Sequence, residues 1–206
     1  LSTSVSSQTT SQLFAEIAAG SGASMADIAS TAAALRQNLK IDPKDFRPAF
    51  DILVKQGKLG AVEIGNLAQQ LAGIAPQFGA FTGSRSVEGM SELGAMLQVT
   101  RQGFGSAEEA GTGFNGLMTQ LQRNAKKLKG VGVDIIDPKT GKMKNLLQIL
   151  TAIGGNVKLM KPGALLAMLG EEKAVRAAGM VIENLQEVQR IKSQSLGSDQ
   201  VAKDNL

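Results

Sequence analysis

Glycine recurs so often along this chain that no helix can run far without meeting one. There are 24 glycines among 206 residues, and each one inside a helix costs roughly 1 kcal/mol relative to alanine. Five prolines add harder stops. A single long rod is therefore disfavoured. Between the breaks, apolar residues recur at three- and four-residue spacing, so short amphipathic helices folded back on one another are expected. The hydrophobic fraction, 43%, is that of a globular chain. The length suits one domain or two small ones. Aromatics amount to 3%, all of them phenylalanine, so the core must be built from Leu, Ile, Val, Ala and Met.

The segments can be read one by one. Ser11 to Ala19 is short, with Leu13, Phe14 and Ile17. Ser24 with Asp27 three residues on is an imperfect capping box; Ile28, Ala32, Leu35 and Leu39 then share a face. Asp42-Pro43 pairs an N-cap acid with proline at the first helical position, ahead of Phe46, Phe50, Leu53 and Val54. Ala61 to Ala75 carries Ile64, Leu67 and Leu71, and Pro76 is expected to end it, with residues 79–85 a loop. Val87 to Gln102 places Met90, Leu93, Leu97 and Val99. Ser106 and Glu109 form a capping box for a helix with Ala110, Phe114, Leu117, Met118 and Leu121 on one stripe. Gly111, Gly113 and Gly116 lie off that stripe, where they either admit a close neighbour or weaken the helix. Asn145 to Ile153 and Gly163 to Leu169 are further helices. One long helix from Glu171 to about Lys192 buries Ala174, Ala178, Val181, Leu185 and Val188.

Val131 to Ile136 is β-branched, and Asp137-Pro-Lys-Thr-Gly141 is a tight-turn sequence. Lys142-Met143 is placed to pair back. The expected fold class is all-α, a compact domain of about eight helices with one short β-hairpin or turn near residues 131–143. Residues 1–10 and 194–206 are polar and aperiodic and are expected to be flexible ends. The helical core spans 11–193, with a sub-boundary near 79–86. The chain begins with Leu1 and not Met, so a piece of a longer protein is expected.

Composition argues against most enzymes. Histidine and cysteine are both absent, which removes imidazole bases, thiolate nucleophiles and the usual zinc ligands. Gly141-Lys142 lacks the upstream glycine of a phosphate loop and is followed by Met143. Asp134 and Asp137 have no closing glutamate for a calcium loop. Glu108/Glu109 and Glu171/Glu172 are visible carboxylate pairs, but both open helices, where acids favour the dipole. No Ser-x-x-Lys spacing occurs. No catalytic residue, cofactor or metal is expected, and no cleft of converging carboxylates or Ser/Lys groups.

Charge is localised. Residues 120–161 hold nine basic and two acidic groups, a net +7 against −2 before and −1 after. Arg123, Lys126, Lys127 and Lys129 cluster at a helix C-terminus, where cations are favoured without any partner. Lys139, Lys142 and Lys144 surround the turn, and Lys158 and Lys161 follow. This is the candidate contact patch, for an acidic protein surface or for phosphate. Aromatics that would stack single-stranded bases are missing from it. Residues 59–82, with Glu63 the only charge, are the best membrane-active stretch, although core is their expected fate.

The order GSAEEAGTGFNGLMTQLQ, then LKGVGVDIIDPKTGKMKNLLQIL, with LKIDPKDFRPAFDILVKQGK upstream and LAMLGEEKAVRAAG downstream, resembles the core region of phage tail tape measure proteins over roughly residues 12–190. Leu169 stands where that family commonly has Phe. The resemblance implies a structural, non-catalytic component of a tailed phage or prophage. It would lie in the tail lumen of the virion after assembly in the host cytoplasm, help set tail length, and leave before DNA passes. Implied partners are the tail tube protein, tail assembly chaperones and baseplate or tail-tip proteins, with self-association and transient membrane or DNA contact as further expectations. The alternative is a helical nucleic-acid- or membrane-contacting module of a phage or bacterial protein.

Overall fold

A computed structural model describes residues 2–82, 86–141 and 143–196. Among them are eleven α-helices: α1 (Ser2–Ser21), α2 (Met25–Asn38), α3 (Phe46–Leu59), α4 (Ile64–Thr82), α5 (Val87–Arg101), α6 (Ala107–Arg123), α7 (Ala125–Gly130), α8 (Leu146–Gly154), α9 (Ala164–Leu169), α10 (Glu172–Glu183) and α11 (Leu185–Leu196). A 3-10 turn, Pro43–Asp45, precedes α3. The all-α class holds. The count of about eight does not, and asparagine is part of the reason. Asn124 separates α6 from α7 and Asn184 separates α10 from α11, each leaving helical geometry while its side-chain amide donates to the carbonyl four residues back, Gln120 at 3.0 Å and Met180 at 2.8 Å. That bond supplies a local alternative to the backbone ladder, so the single helix expected from Glu171 to Lys192 is two.

The capping signals act as their spacing implies. Ser24 Oγ accepts from Asp27 N–H and Ser106 Oγ from Glu109 N–H, each at 3.1 Å; Ser86, for which no cap was expected, accepts from Gly89 N–H at 3.1 Å at the start of α5. Glu109 reaches back to the Gly105 N–H at 3.2 Å. Asp42 accepts from Lys44 N–H at 3.0 Å, so its cap serves the 3-10 turn and α3 begins one turn later. The polar N-terminus is helical, since α1 begins at Ser2. At the other end α11 runs through residues 194–196, and 197–206 lie outside the described residues.

Pro76 does not end its helix. It lies inside α4 with its ring toward solvent, and residues 79–82, expected in a loop, are helical. The lost hydrogen bond to Ala72 costs on the order of 3 kcal/mol. Continuing the helix buries Phe78 and Phe81 completely or nearly so, and two such side chains contribute about that much or more. Gly79 then meets the Asn38 carbonyl, which an added Cβ would approach to 2.7 Å. Residues 83–85 lie outside the described residues, and the apolar core continues across the expected sub-boundary through α4 and α5.

The expected hairpin shrinks to one antiparallel bridge between Ile136 and Met143. Local side chains take the partners a ladder would use: Asp134 accepts from Ile136 N–H at 3.1 Å and Asp137 from Lys139 N–H at 2.8 Å. Val133 and Ile135 still bury their side chains against the helices.

α5 is the axis of the molecule. It packs against α3, α4, α6, α10 and α11, and every residue from Gly89 to Thr100 is buried. α2 lies along α4, α6 lies between α4 and α10, α8 rests on α10, and α9 on α10 and α6. Phe14, Phe46 and Phe50 join α1 to α3, with ring centroids 6.0 to 6.5 Å apart.

Polar groups reach the axis and are mostly paired. Gln56 Nε2 donates to the Ser91 carbonyl at 2.7 Å and to Ser195 Oγ at 3.2 Å, tying α3, α5 and α11 together. Gln98 spans Val62, accepting from its N–H at 2.7 Å and donating to its C=O at 3.0 Å, as a neighbouring strand would.

Candidate contact surface

The basic segment begins where α6 gives way to α7. Leu128 is fully buried there, which turns Arg123, Lys126, Lys127 and Lys129 outward. Lys129 is then engaged by Asp134 at 3.2 Å. The Ile136 N–H first, and Lys129 next, hold the Asp134 carboxyl below its ordinary range, and Lys144 adds to the attraction. Part of the patch is thus neutralised internally. Lys139 is exposed at the turn, Lys144 is half-buried with its N–H bonded to the Ile135 carbonyl at 2.9 Å, and Lys142 lies outside the described residues. Arg123, Lys126 and Lys127 form no ion pair among the described residues.

Asn156 brings a second stretch to this corner. Its amide donates to the Val131 carbonyl at 2.9 Å, so the turn carrying Lys158 sits beside the end of α7. Val157 and Met160, in the same turn, are exposed. Sequence reading had noted the two lysines and missed the two apolar side chains. Their only signal was position in a polar turn between helices.

A second feature contradicts an expectation. Carboxylates and a lysine do converge, in a groove of about 600 Å³ lined by Glu88, Glu92, Asn145, Gln148, Gln189 and Lys192 among others. Lys192 Nζ donates to Glu92 at 3.0 Å and to Glu88 at 3.2 Å, while Asn145 Nδ2 donates to the other Glu92 oxygen at 2.6 Å. Burial pushes the Lys192 ammonium down, but Glu92 and then Glu88 outweigh it and hold it above the ordinary lysine range. Glu92 is buried with both oxygens engaged, so it is a clasp between α5, α8 and α11. Lys192 is 100 residues from Glu92 and Asn145 is 53, and no local pattern announces them. Of the pairs singled out from sequence, Glu109 caps α6 and Glu171 accepts from Gln120 at 3.1 Å; Glu108 and Glu172 are exposed at helix starts.

A family model described as phage-related minor tail protein matches residues 3–181, from α1 into α10. The chain belongs to the phage-related minor tail protein family. Within this phage tail protein, the matched residues include the whole basic corner and exclude α11 with Lys192. The chain is also similar to a protein of Burkholderia phage BcepMu described as "Probable tape measure protein", at 28% identity over 127 residues. That match covers 60% of this chain and 15% of the relative's length. No solved structure matches. Among the described residues, no helix is long and apolar enough to cross a membrane.

Proposed function

We propose that the chain is a folded, non-catalytic segment of a tape measure protein. It occupies the tail lumen of the virion, contributes to tail length and assembly, and leaves before DNA passes. It is assembled in the host cytoplasm against tail tube protein, tail assembly chaperones and baseplate or tip proteins. The observation behind this reading is the sheathing of α5 by five other helices, in a chain that belongs to a tail protein family. Such a chain is folded back on itself. A continuous helix would advance about 1.5 Å per residue, and the longest helix among the described residues has 20 residues. The segment is therefore a module within the tape, an anchor or plug, and length scaling resides in more regular helices elsewhere.

In-frame deletion of residues 11–193 in the parent phage tests this. Electron microscopy is expected to show tails shortened by much less than about 1.5 Å per deleted residue, or no tails. Shortening in full proportion would remove the module reading.

A further inference from the structure

We infer that the corner formed by the end of α7 and the Asn156–Met160 turn docks an acidic amphipathic helix of a partner protein. The corner is built and not incidental. Besides its bond to Val131, Asn156 accepts from the Lys158 and Leu159 N–H groups at 3.0 and 3.2 Å, so one side chain sets the turn on both sides. Leu159 points into the core at 3% exposure, while Val157 is 80% and Met160 45% exposed. The Met160 N–H closes one helical turn on the Asn156 carbonyl at 3.1 Å, which puts Val157 and Met160, three residues apart, on one side.

Charge names the occupant. Lys158 lies between the two apolar residues in sequence and Lys161 follows Met160, while Lys126 and Lys127 stand on α7, whose end Asn156 holds; all four are exposed. None of the four forms an ion pair among the described residues. From Ala110 to Gly170 the chain has just two acids, Asp134 and Asp137, and Lys129 already engages the first. An apolar step bordered by unpaired ammonium groups is complementary to an apolar ridge bordered by carboxylates. Duplex DNA would use the lysines and leave Val157 and Met160 in water. A bilayer interface is anchored by aromatic side chains, and none of the large exposed apolar residues is aromatic. Methionine adapts its shape to a peptide face. The inference stands on this corner alone and does not depend on the tape measure reading.

The test titrates the purified full chain into a fluorescein-labelled helical peptide carrying a leucine stripe flanked by glutamates. Saturable binding is expected, weakened about tenfold by Val157→Ser/Met160→Ser and again by Lys158→Glu/Lys161→Glu or Lys126→Glu/Lys127→Glu. These side chains are exposed, so circular dichroism and the melting temperature should not move. No binding, equal binding of a peptide with the same residues in scrambled order, or variants that bind like the parent would overturn the inference. So would preferential binding of phosphatidylglycerol vesicles or duplex DNA.

Discussion

Gly113 shows how a single hydrogen atom decides packing. A Cβ there would come within 2.7 Å of the Phe104 ring and 3.0 Å of the Lys173 carbonyl, so α6 meets α10 at backbone distance. Of the two roles left open for the glycines of α6, admitting a close neighbour is the one seen at Gly113; Gly111 and Gly116 face the movable side-chain ends of Gln70 and Glu171 instead. Gly113→Ala is expected to lower unfolding free energy by about 1–3 kcal/mol. Gly130→Ala, on α7 with nothing within 4 Å of the added carbon, should be neutral or stabilising by about 0.5 kcal/mol. Urea denaturation of both distinguishes packing glycines from incidental ones. Lys40 is the converse case, a side chain at φ 55° just past α2. Left-handed geometry costs a non-glycine residue roughly 1 kcal/mol, so Lys40→Gly should raise the urea midpoint.

At the scale of elements, the clasp between α5, α8 and α11 is the most exposed to chemistry. Removing one partner of a buried ion pair leaves an uncompensated charge, so Lys192→Met is expected to destabilise by about 2–4 kcal/mol. Glu92→Leu combined with Lys192→Met should recover much of that loss, and a double-mutant cycle with the two single variants reads the coupling. The pH dependence follows from direction alone. The folded-state pKa of Lys192 is raised; its contribution is complete below the ordinary lysine pKa and lost as pH climbs through the higher folded value. Asp134 works the other way, being lowered by the Ile136 N–H and Lys129, so its contribution is present above the ordinary carboxylate range and lost as pH falls through the folded value. Thermal melts of Lys192→Met against the parent should converge at strongly alkaline pH. The Ser24, Asp42 and Ser106 caps were legible beforehand because each involves residues two or three apart. The clasp was not, because Glu92 and Lys192 meet only after α11 has returned to α5.

For the molecule as a whole, α5 should open last. Its amides are expected to exchange with a free energy near that of global unfolding, while those of α1, which packs mainly on α2 and α3, exchange earlier. Native-state hydrogen exchange by mass spectrometry checks the order, and faster exchange in α5 than in α1 would contradict the axial arrangement. Helical class, start signals and the apolar stripes of α6 and α10 were written in local spacing, because a helix sees only neighbours three and four residues away. Those same rules expected Pro76 to stop α4, a long helix from Glu171, and a hairpin at residues 131–143. Each was overridden by something non-local or by a competing side chain: burial of Phe78 and Phe81, the Asn184 back-bond, and the Asp134 and Asp137 turn bonds. The burial of Ser91, Glu92, Gln98 and Thr100 on α5 and the exposure of Val157 and Met160 could not be read from periodicity. Local composition determined that this chain makes short helices with a basic centre. Only tertiary packing decided which helix lies at the axis and which side chains face water, because burial is set by what the rest of the chain places around a residue.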